Sequence, residues 1–283
     1  MTPTLDAERW LEQAIDSVRA QRHPRIEHVL VDGGSTDGTM AIVERNRAHF
    51  AHVELGPDAG MYEAIDRGFR RTRGEIMCWL NADDEWLPGT LRTVTRLFRE
   101  FPDVEWITTG CPATIDVDGG VTWCGRIAGF SPRGFRRGEN LPGCGWKAAG
   151  FLQQESTFWR RSLWERAGAR MDTSLRLAGD FELWSRFMGH ATPWCVEVPL
   201  GLFRYRPGQQ SERHRRAYLA EAEQVFHRDG GRPPVPVLAT LRVGIRTHAP
   251  FRVLRWLARL RLVEPRPYLA HIAAENRWVR QWR

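Results

Sequence analysis

The sequence predicts an α/β protein with a doubly wound, mostly parallel sheet flanked by helices, followed by a basic helical extension. Two observations predict this fold. Short apolar runs rich in β-branched residues alternate with amphipathic segments at helical spacing, which is the pattern of βαβ units. Turn-rich acidic segments also follow two of these runs, and parallel sheets bind ligands outside the carboxyl ends of their strands. We therefore expect the acidic segments to face one crevice.

Helices and strands alternate along the first part of the chain. Residues 26–31, IEHVLV, are a short β-branched run typical of a parallel strand that is buried on both faces. The helix at 59–74 is predicted to end at Gly74. In chain order the pattern predicts helices at 7–20, 39–50, 59–74 and 89–101, and strands at 26–31, 52–56 and 75–80.

The alternation changes after residue 104. Residues 104–110 predict a strand, and residues 113–125 predict a hairpin that turns at DGG. A long loop, two helices and a last strand-like segment are then predicted at 126–150, 160–168, 180–189 and 193–205. Beyond residue 212 the pattern predicts helices only.

The chain length of 283 residues suits one α/β domain with an appendage, which we place at residues 1–211 and 212–283. No apolar stretch approaches the roughly 20 residues that a membrane-spanning helix needs, and the polar N-terminus predicts no signal peptide. The five cysteines are odd in number and widely spaced, which predicts reduced thiols in a cytoplasmic protein.

The positive charge is concentrated in residues 237–283, which hold ten arginines against two glutamates and sum to +8. The rest of the chain sums to −1, so a basic tail follows a nearly neutral body. In the segment 251–262, helical spacing sets three arginines on one face and four apolar residues largely opposite: Arg252, Arg255 and Arg259 against Val253, Trp256, Leu257 and Leu260. Such a helix could pack on the domain or lie on an anionic membrane surface.

Two acidic segments follow predicted strands. DGGSTDGT (32–39) is either a flexible turn with a helix cap or a loop whose carboxylate and amides bind a nucleotide at a helix N-terminus. NADD (81–84) is either a turn with a cap or a site that holds a divalent cation against an anionic group. We expect the carboxylates of Asp83 and Asp84 to lie on the solvent side and to need no structural partner.

Five motifs occur in a fixed order along the chain. They are PTLD (3–6), DGGSTDGT (32–39), GMYEAIDRG (60–68), NADD (81–84) and GDFELW (179–184). In this order the sequence resembles the inverting family-2-type glycosyltransferases of the GT-A fold, over residues 2 to about 211. The resemblance implies a Rossmann-like GT-A domain that transfers a sugar from a nucleotide donor.

The resemblance implies a nucleotide pocket near the first two motifs. Asp32 would hydrogen-bond the nucleotide base, and Pro3 and Thr4 would lie against that base. Asp58 would help to line the nucleoside pocket, and a helix cap before Gly60 is an equally good interpretation of this residue.

The same resemblance implies the metal-binding and catalytic residues. Asp83 would lie near the ribose and the metal, and Asp84 would coordinate Mg²⁺ or Mn²⁺, which neutralises the departing nucleoside diphosphate. Asp180 would be the general base that takes the proton of the acceptor hydroxyl, although an aspartate there also makes a good N-cap. Gln154 and Glu155 are the residues expected to contact the acceptor.

Three positions depart from the pattern of this family. Asp6 stands where relatives usually have Asn, and Arg206 stands where many have His. A contact of that His with metal or diphosphate would here become a guanidinium–phosphate pair. Relatives also begin with several apolar residues that form a central first strand. At Met1 we therefore expect a truncated strand, from a reading frame that starts too late, and a gap in the sheet.

The predicted function is that of an inverting, metal-dependent glycosyltransferase of cell-surface or exopolysaccharide synthesis. We expect a nucleotide-sugar donor, UDP-linked by family precedent, and a glycan or lipid-linked hydroxyl acceptor, with no nucleic acid as partner. The predicted location is the cytoplasm or the inner face of the plasma membrane. One alternative is a catalytically impaired nucleotide-binding or scaffold protein. Another is a sugar nucleotidyltransferase, for which PTLDAERW lacks the glycine-rich basic loop.

Overall fold

Helices and strands alternate in the computed structural model, which describes residues 1–143, 150–232, 244–245, 249, 251–259 and 264–282. The helices are α1 (Leu11–Arg19), α2 (Thr39–Arg45), α3 (Met61–Arg71), α4 (Thr90–Glu100), α5 (Pro132–Arg136), α6 (Arg161–Arg166), α7 (Gly179–Met188), α8 (Gln210–Arg213), α9 (Arg215–Arg228) and α10 (Phe251–Arg259). The strands are β1 (Thr2–Thr4), β2 (Val29–Asp32), β3 (His52–Leu55), β4 (Ile76–Met77), β5 (Glu85–Trp86), β6 (Trp106–Thr109), β7 (Ala113–Ile115), β8 (Val121–Cys124), β9 (Phe158–Arg160), β10 (Trp194–Val196), β11 (Gly201–Arg204), β12 (Pro267–Ile272) and β13 (Arg277–Trp282).

The predicted βαβ alternation is confirmed at the N-terminal end of the sheet. Strands β1, β2 and β3 are parallel, with Thr4 opposite Asp32. Leu30 packs with α1 and α2 on one face of β2, while Val29 and Val31 pack with α3 on the other. The strand is therefore buried on both faces, as its β-branched run predicts.

A six-stranded mixed sheet has the order β13-β12-β10-β6-β9-β4. Strands β6, β10 and β12 are parallel to one another, and β9 runs antiparallel between β6 and β4. The main chain of Met1 joins this sheet to the three-stranded one. Its amine donates to the Cys78 carbonyl at 3.0 Å, and its carbonyl accepts from the Leu80 N–H at 3.0 Å. The result is a mostly parallel sheet that extends from β3 to β13.

The region beside Met1 is where the sequence predicts a gap. A cavity of about 150 Å³ lies there, with Met1, Phe69, Met77 and Phe158 among the residues that line it. Burial lowers the pKa of the Met1 amine. The expected truncation of the first strand stays a prediction.

A four-stranded sheet has the order β5-β11-β7-β8. Its edge strand β5 follows the acidic NADD segment directly in the sequence. Strand β5 begins directly after Asp84 and pairs antiparallel with β11. Strand β11 is parallel to β7, and β7 and β8 form the predicted hairpin. Pairing of β5 with β11 therefore holds the NADD segment beside the end of β11.

Tryptophan rings fill the core between the large sheet and α7. Trp79 stacks on Trp184 of α7 with ring centroids 5.5 Å apart and an interplanar angle of 8°, and Trp106 stacks on Trp184 at 5.6 Å. Trp159 meets both Trp79 and Trp184 edge-on. Because buried aromatic rings dominate core energetics, this cluster fixes α7 and the residues at its start.

The chain after residue 212 is not helical throughout, so the prediction of helices only is wrong. Helices α9 and α10 form, but β12 and β13 make an antiparallel hairpin. Strand β12 adds to the large sheet in parallel with β10 and sets Tyr268 opposite Cys195. Both side chains are buried, and burial against a neighbouring strand outweighs local propensity. The domain boundary near residue 211 stays a prediction, with strands of one sheet on either side of it.

The amphipathic segment predicted at 251–262 is helical over α10, and Leu260 lies outside the described residues. Leu254 is buried, whereas Val253 is 42% and Trp256 is 59% exposed. Leu254 therefore packs against the protein, whereas Val253 and Trp256 of the predicted apolar face are exposed and Leu257 is half-buried. The described part of the chain contains no helix with the length and hydrophobicity that a membrane-spanning helix requires.

The long loop predicted at 126–150 contains α5, and residues 144–149 lie outside the described part of the chain. The Ser131 hydroxyl caps α5 by accepting from the Gly134 N–H at 3.1 Å. Arg266, just before β12, forms a buried ion pair with Glu139 of this loop. The basic tail thus anchors the loop as well as the sheet.

Candidate active site

Asp32 ends β2 and holds the loop that follows it. One carboxylate oxygen accepts from the main-chain N–H groups of Gly34 and Ser35, both at 2.9 Å, and the other accepts from the Ser35 hydroxyl. Across the β1–β2 ladder lie Pro3 and Thr4, and the buried Thr4 hydroxyl makes no hydrogen bond within the described chain. Since buried polar groups are normally satisfied, this hydroxyl is one that a polar ligand could satisfy.

Asp58 lies against the same loop. A Cβ atom on Gly33 would be only 2.6 Å from Asp58 Oδ2. The Asp58 side chain is therefore in close contact with the loop at the residue that follows Asp32. Asp58 Oδ1 also accepts from the Gly60 N–H at 2.9 Å, just before α3. Burial raises the pKa of Asp58. The contacts thus fit both interpretations of Asp58, the pocket wall and the cap.

Asp83 is held in an ion pair. Its Oδ2 accepts from Arg206 Nε at 2.7 Å, and its main-chain carbonyl accepts from Arg204 Nε at 2.8 Å. The guanidinium carbon of Arg206 lies 4.9 Å from the centroid of the Trp10 ring. The side chain of Asp83 is therefore partly open to solvent but already faces a cation.

Asp84 is only 1% exposed. Its carboxylate accepts from Gln154 Nε2 at 2.9 Å, from Asn81 Nδ2 at 3.2 Å and from the main-chain N–H of Arg204 at 3.0 Å. Burial, helped by two neighbouring carboxyl groups, raises the pKa of Asp84 well above its ordinary value. The expectation that this carboxylate lies on the solvent side without structural partners is therefore wrong.

Gln154 and Glu155, the predicted acceptor contacts, lie in a short 3-10 turn. Both side chains are buried, and Gln154 donates to Asp84. Glu155 accepts from the Ser156 hydroxyl at 3.2 Å, and burial raises the pKa of Glu155 to about 8. An acceptor contact by either residue stays a prediction, and their burial does not support it.

Arg204, at the end of β11, is a residue that the sequence reasoning missed. Its buried guanidinium donates to the main-chain carbonyls of Asp83 at 2.8 Å and Asp116 at 2.9 Å, and to the side chains of Gln13 at 2.8 Å and Glu85. It therefore ties the acidic segment to the β7–β8 hairpin and to α1. The signal that could have identified Arg204 in the sequence is its position, as a charged residue, inside a predicted strand.

The acidic segment, with its present contacts, does not fit a divalent cation. Over the described residues, no group of three or more His, Cys, Asp or Glu side chains could hold one ion. One oxygen of Asp83 binds Arg206, and both oxygens of Asp84 accept hydrogen bonds from protein groups. Mg²⁺ and Mn²⁺ need several oxygen ligands, and a neighbouring guanidinium opposes their charge.

Asp180 lies in the first turn of α7 and meets Tyr62 of α3. The Tyr62 hydroxyl is 2.8 Å from the Leu177 carbonyl and 3.3 Å from Asp180 Oδ1, and a Cβ atom on Gly179 would be 2.7 Å from the tyrosine ring. Burial raises the pKa of Asp180 to about 6. Such a carboxyl group is ionised at neutral pH and well matched to a general base.

Helix α9 supports the start of α7. Glu221 accepts from the N–H groups of Leu177 at 2.8 Å and Ala178 at 2.9 Å, and Ala178 occupies the cap position that the alternative interpretation gave to Asp180. Burial, followed by the charge of Asp180, raises the pKa of the Tyr218 hydroxyl of α9. Sequence reasoning missed Glu221 and Tyr218 because it assigned α9 to a separate extension.

Comparison with known protein families gives a match over the N-terminal part of the chain. The family described as Glycosyl transferase family 2 matches residues 1–154, which is more than half of the chain. This segment contains β1 to β8, the Asp32 loop and the NADD segment.

Curated relatives match over shorter segments. An uncharacterized glycosyltransferase of Nostoc sp. is 36% identical over 95 residues, which cover 32% of this chain and 29% of that protein. The putative teichuronic acid biosynthesis glycosyltransferase TuaG of Bacillus subtilis is 32% identical over 91 residues, which cover 30% of this chain and 35% of TuaG. The matches thus span about a third of each relative's length.

Solved structures match over most of the chain. S. aureus TarS in complex with UDP-GlcNAc has a TM-score of 0.63 at 15% identity, covering 92% of this chain and 74% of that chain. The mannosyltransferase PcManGT from Pyrobaculum calidifontis, in complex with GDP-Man and Mn²⁺, has a TM-score of 0.57 at 20% identity, covering 93% and 79%. The predicted GT-A fold class is confirmed.

Proposed function

The chain belongs to glycosyl transferase family 2, and we propose that it transfers a sugar from a nucleotide-diphosphate donor to a hydroxyl acceptor with inversion. The observation that carries this proposal is the environment of Asp180. Burial raises the pKa of its carboxyl group to about 6, and the group contacts Tyr62 on α3. Helix α3 begins just after Asp58, so one helix connects the proposed base with the proposed nucleotide pocket.

In this mechanism Asp180 takes the proton of the acceptor hydroxyl while the hydroxyl oxygen attacks the anomeric carbon. The bond between that carbon and the nucleoside diphosphate breaks on the opposite face, and its electron pair leaves with the phosphate oxygen. The configuration at the anomeric carbon is thereby inverted. The Tyr62 hydroxyl donates to the Asp180 carboxylate and so holds it in one orientation.

The proposed donor is a UDP-sugar. TarS was solved with UDP-GlcNAc and PcManGT with GDP-Man, so this fold holds either nucleotide in those proteins. Asp32 would accept a hydrogen bond from the base, Pro3 and Thr4 would lie against the base, and Asp58 would line the nucleoside pocket. The buried Thr4 hydroxyl without a partner in the described chain supports a polar ligand at this place.

The proposed acceptor is a hydroxyl group of a glycan or a lipid-linked glycan of the cell surface. TuaG, whose name refers to teichuronic acid biosynthesis, supports this class. Gln154 donates to Asp84, and we propose that it positions the acidic segment instead of binding the acceptor. Glu155 is buried beside it and would act in the same way.

Calorimetric titration with UDP and GDP, followed by consumption assays with a panel of UDP-sugars, tests the proposed function. We expect UDP to bind and a UDP-sugar to be hydrolysed slowly, and we expect Asp180→Asn to lose hydrolysis but keep binding. If no nucleotide binds, the scaffold alternative gains support. Formation of a nucleotide-sugar from a nucleoside triphosphate and a sugar phosphate would indicate a nucleotidyltransferase.

We further propose that the basic extension, residues 212–283, carries the enzyme to an anionic membrane surface. On α10, the exposed Trp256 and Val253 lie near the exposed Arg252. Helices that lie in a membrane interface combine aromatic and basic residues in this way. Each basic residue near such a surface contributes about 1 kcal/mol, so several would give reversible binding.

Sedimentation with anionic phospholipid vesicles at low salt tests the membrane role. We expect the full chain to sediment with the vesicles and Trp256→Ser to sediment less. Trp123→Ser is the matched control, because Trp123 on β8 is 49% exposed against 59% for Trp256. If the wild-type protein stays in the supernatant, the membrane role is wrong.

A further inference from the structure

Two arginines at the end of β11 differ in their freedom to bind a ligand. The side chain of Arg204 is fully buried, and its guanidinium donates to five different residues. The side chain of Arg206 is 29% exposed and makes one ion pair, with Asp83. Arg204 therefore stabilises the fold, whereas Arg206 has guanidinium N–H groups that could bind a ligand.

We propose that the guanidinium of Arg206, in place of a divalent cation, binds and neutralises the diphosphate of the donor, so that nucleotide binding needs no added metal. The inference rests on the proposed function, because it names the group that receives the leaving diphosphate. It departs from the Mg²⁺ or Mn²⁺ that the sequence resemblance implies.

The orientation of Arg206 supports this role. Its Nε donates to Asp83 Oδ2 at 2.7 Å, and its main-chain N–H donates to Gln209 at 3.2 Å. The guanidinium also lies 4.9 Å from the centroid of the Trp10 ring, which restricts its plane. The two terminal nitrogens make no hydrogen bond within the described chain. A guanidinium fixed through Nε therefore presents the paired N–H groups that match phosphate oxygens.

The carboxylates beside Arg206 are poorly arranged for an ion. Asp84 would have to give up hydrogen bonds to Gln154, Asn81 and the Arg204 main chain before its oxygens could coordinate one. Asp83 would have to release Arg206. An ion that bound there would also lie close to the guanidinium of Arg206, and like charges repel at short range.

An arginine can stabilise the diphosphate as it leaves the sugar. As the bond between the anomeric carbon and the phosphate oxygen breaks, that oxygen takes the electron pair and its negative charge rises. A guanidinium stays protonated throughout, so it stabilises this charge without transferring a proton. Asp180 remains the group that accepts the acceptor's proton.

Calorimetric titration of the full chain with UDP, in EDTA and then in Mn²⁺, tests the inference. We expect wild-type Kd values that agree within about threefold in the two buffers. Arg206→Gln should weaken UDP binding about 10- to 100-fold in EDTA, since charge-assisted bidentate contacts are strong. Uridine, which lacks the diphosphate, should bind wild type and variant equally. Removing Arg206 also frees Asp83, so Mn²⁺ should restore part of the UDP affinity of the variant only.

Arg96→Gln is the matched control, because the Arg96 side chain on α4 is 30% exposed and is paired with one carboxylate, Glu100. Its UDP affinity should equal that of the wild type. Wild-type binding of UDP that requires Mn²⁺ would overturn the inference while leaving the proposed function in place. Undiminished UDP binding by Arg206→Gln in EDTA would also overturn it. Failure of UDP, GDP and uridine to bind in either buffer would instead refute the proposed function itself.

Discussion

The loop that follows Asp32 and the start of α7 hold their carboxylates in opposite ways. Asp32 is fixed by hydrogen bonds from its own loop, within three residues along the chain. Asp180 is placed by Tyr62, 118 residues away in sequence, and the main chain before it is held by Glu221 of α9. The first arrangement is local and redundant, and the second depends on the packing of three helices.

This difference teaches where the proposed reaction is vulnerable. A loop that carries several hydrogen bonds to one carboxylate tolerates the loss of one, because the others keep its shape. A base that is positioned by single contacts from distant helices does not tolerate the loss of one of those contacts. Substitutions near Asp180 should therefore reduce transfer strongly, while substitutions around Asp32 should change donor affinity only slightly.

The largest effect is expected for Asp180→Asn. The amide has the size of the carboxylate but cannot accept the proton, so transfer should fall about 100-fold or more, the scale of general base catalysis. Donor affinity, measured by UDP titration, should not change. An unchanged transfer rate would remove Asp180 from its role. Glu182 is a poor substitute base because it is buried and ion-paired with Arg186 and Arg228.

A smaller loss is expected for Glu221→Ala. The N–H groups of Leu177 and Ala178 would lose their acceptor, which lowers the free energy of unfolding by about 1–3 kcal/mol. We expect transfer to fall about tenfold, because the contact places the residues just before Asp180. Thermal unfolding and donor hydrolysis measure the two effects. Glu223→Ala on the same helix, a residue exposed to solvent, should change neither; equal effects of both substitutions would contradict the positioning role.

A shift in pH dependence is expected for Tyr62→Phe. In the wild type, transfer should rise with pH to a half-maximum near the pKa of about 6 given for Asp180, since the ionised form is the base. The Tyr62 hydroxyl stabilises that ionised form and so lowers the pKa of Asp180 against the effect of burial. Removing the hydroxyl should move the half-maximum to higher pH. A profile of kcat/KM against pH measures this, and an unmoved or lowered midpoint would contradict the contact.

The smallest effect is expected for Ser35→Ala. Asp32 would keep the main-chain N–H groups of Gly34 and Ser35 as donors. A hydrogen bond from a hydroxyl to a carboxylate contributes about 1.5–3 kcal/mol, but this one acts on the ligand only indirectly, so UDP affinity should fall no more than about threefold. A loss as large as that of Asp32→Ala in the same titration would show that the loop is not redundant.

The arrangement around Asp32 is local in sequence, and it is the part of the candidate site that the sequence predicts well. The run before Asp32 and the loop after it carry their own strand and turn signals, so their position at a strand end follows from the alternation alone. Asp180 was found through the order of the motifs. The surroundings of Asp180 were not predicted, because Glu221 lies on α9 and no pattern in the sequence indicates that α9 contacts α7.

Burial was the property that the sequence predicted least well. Asp83 and Asp84 are adjacent carboxylates at one strand end, yet one is paired with Arg206 and the other is enclosed by Gln154 and Asn81. Local pattern gives the direction of a strand but not the identity of the side chains that reach it from elsewhere. The β12–β13 hairpin was missed for the same reason, since its partner strand β10 is distant in sequence.

The position of β12 beside β10 has a consequence for biosynthesis. On the ribosome, the loop that follows Asp32 and β10 emerge well before residues 267–272, so the growing chain carries β10 with an open edge until the hairpin follows. Open strand edges pair with other chains, and partly folded nascent domains expose them. We therefore expect the dependence of this protein on chaperones to fall once residues 267–282 have been synthesised and the hairpin covers the edge of β10.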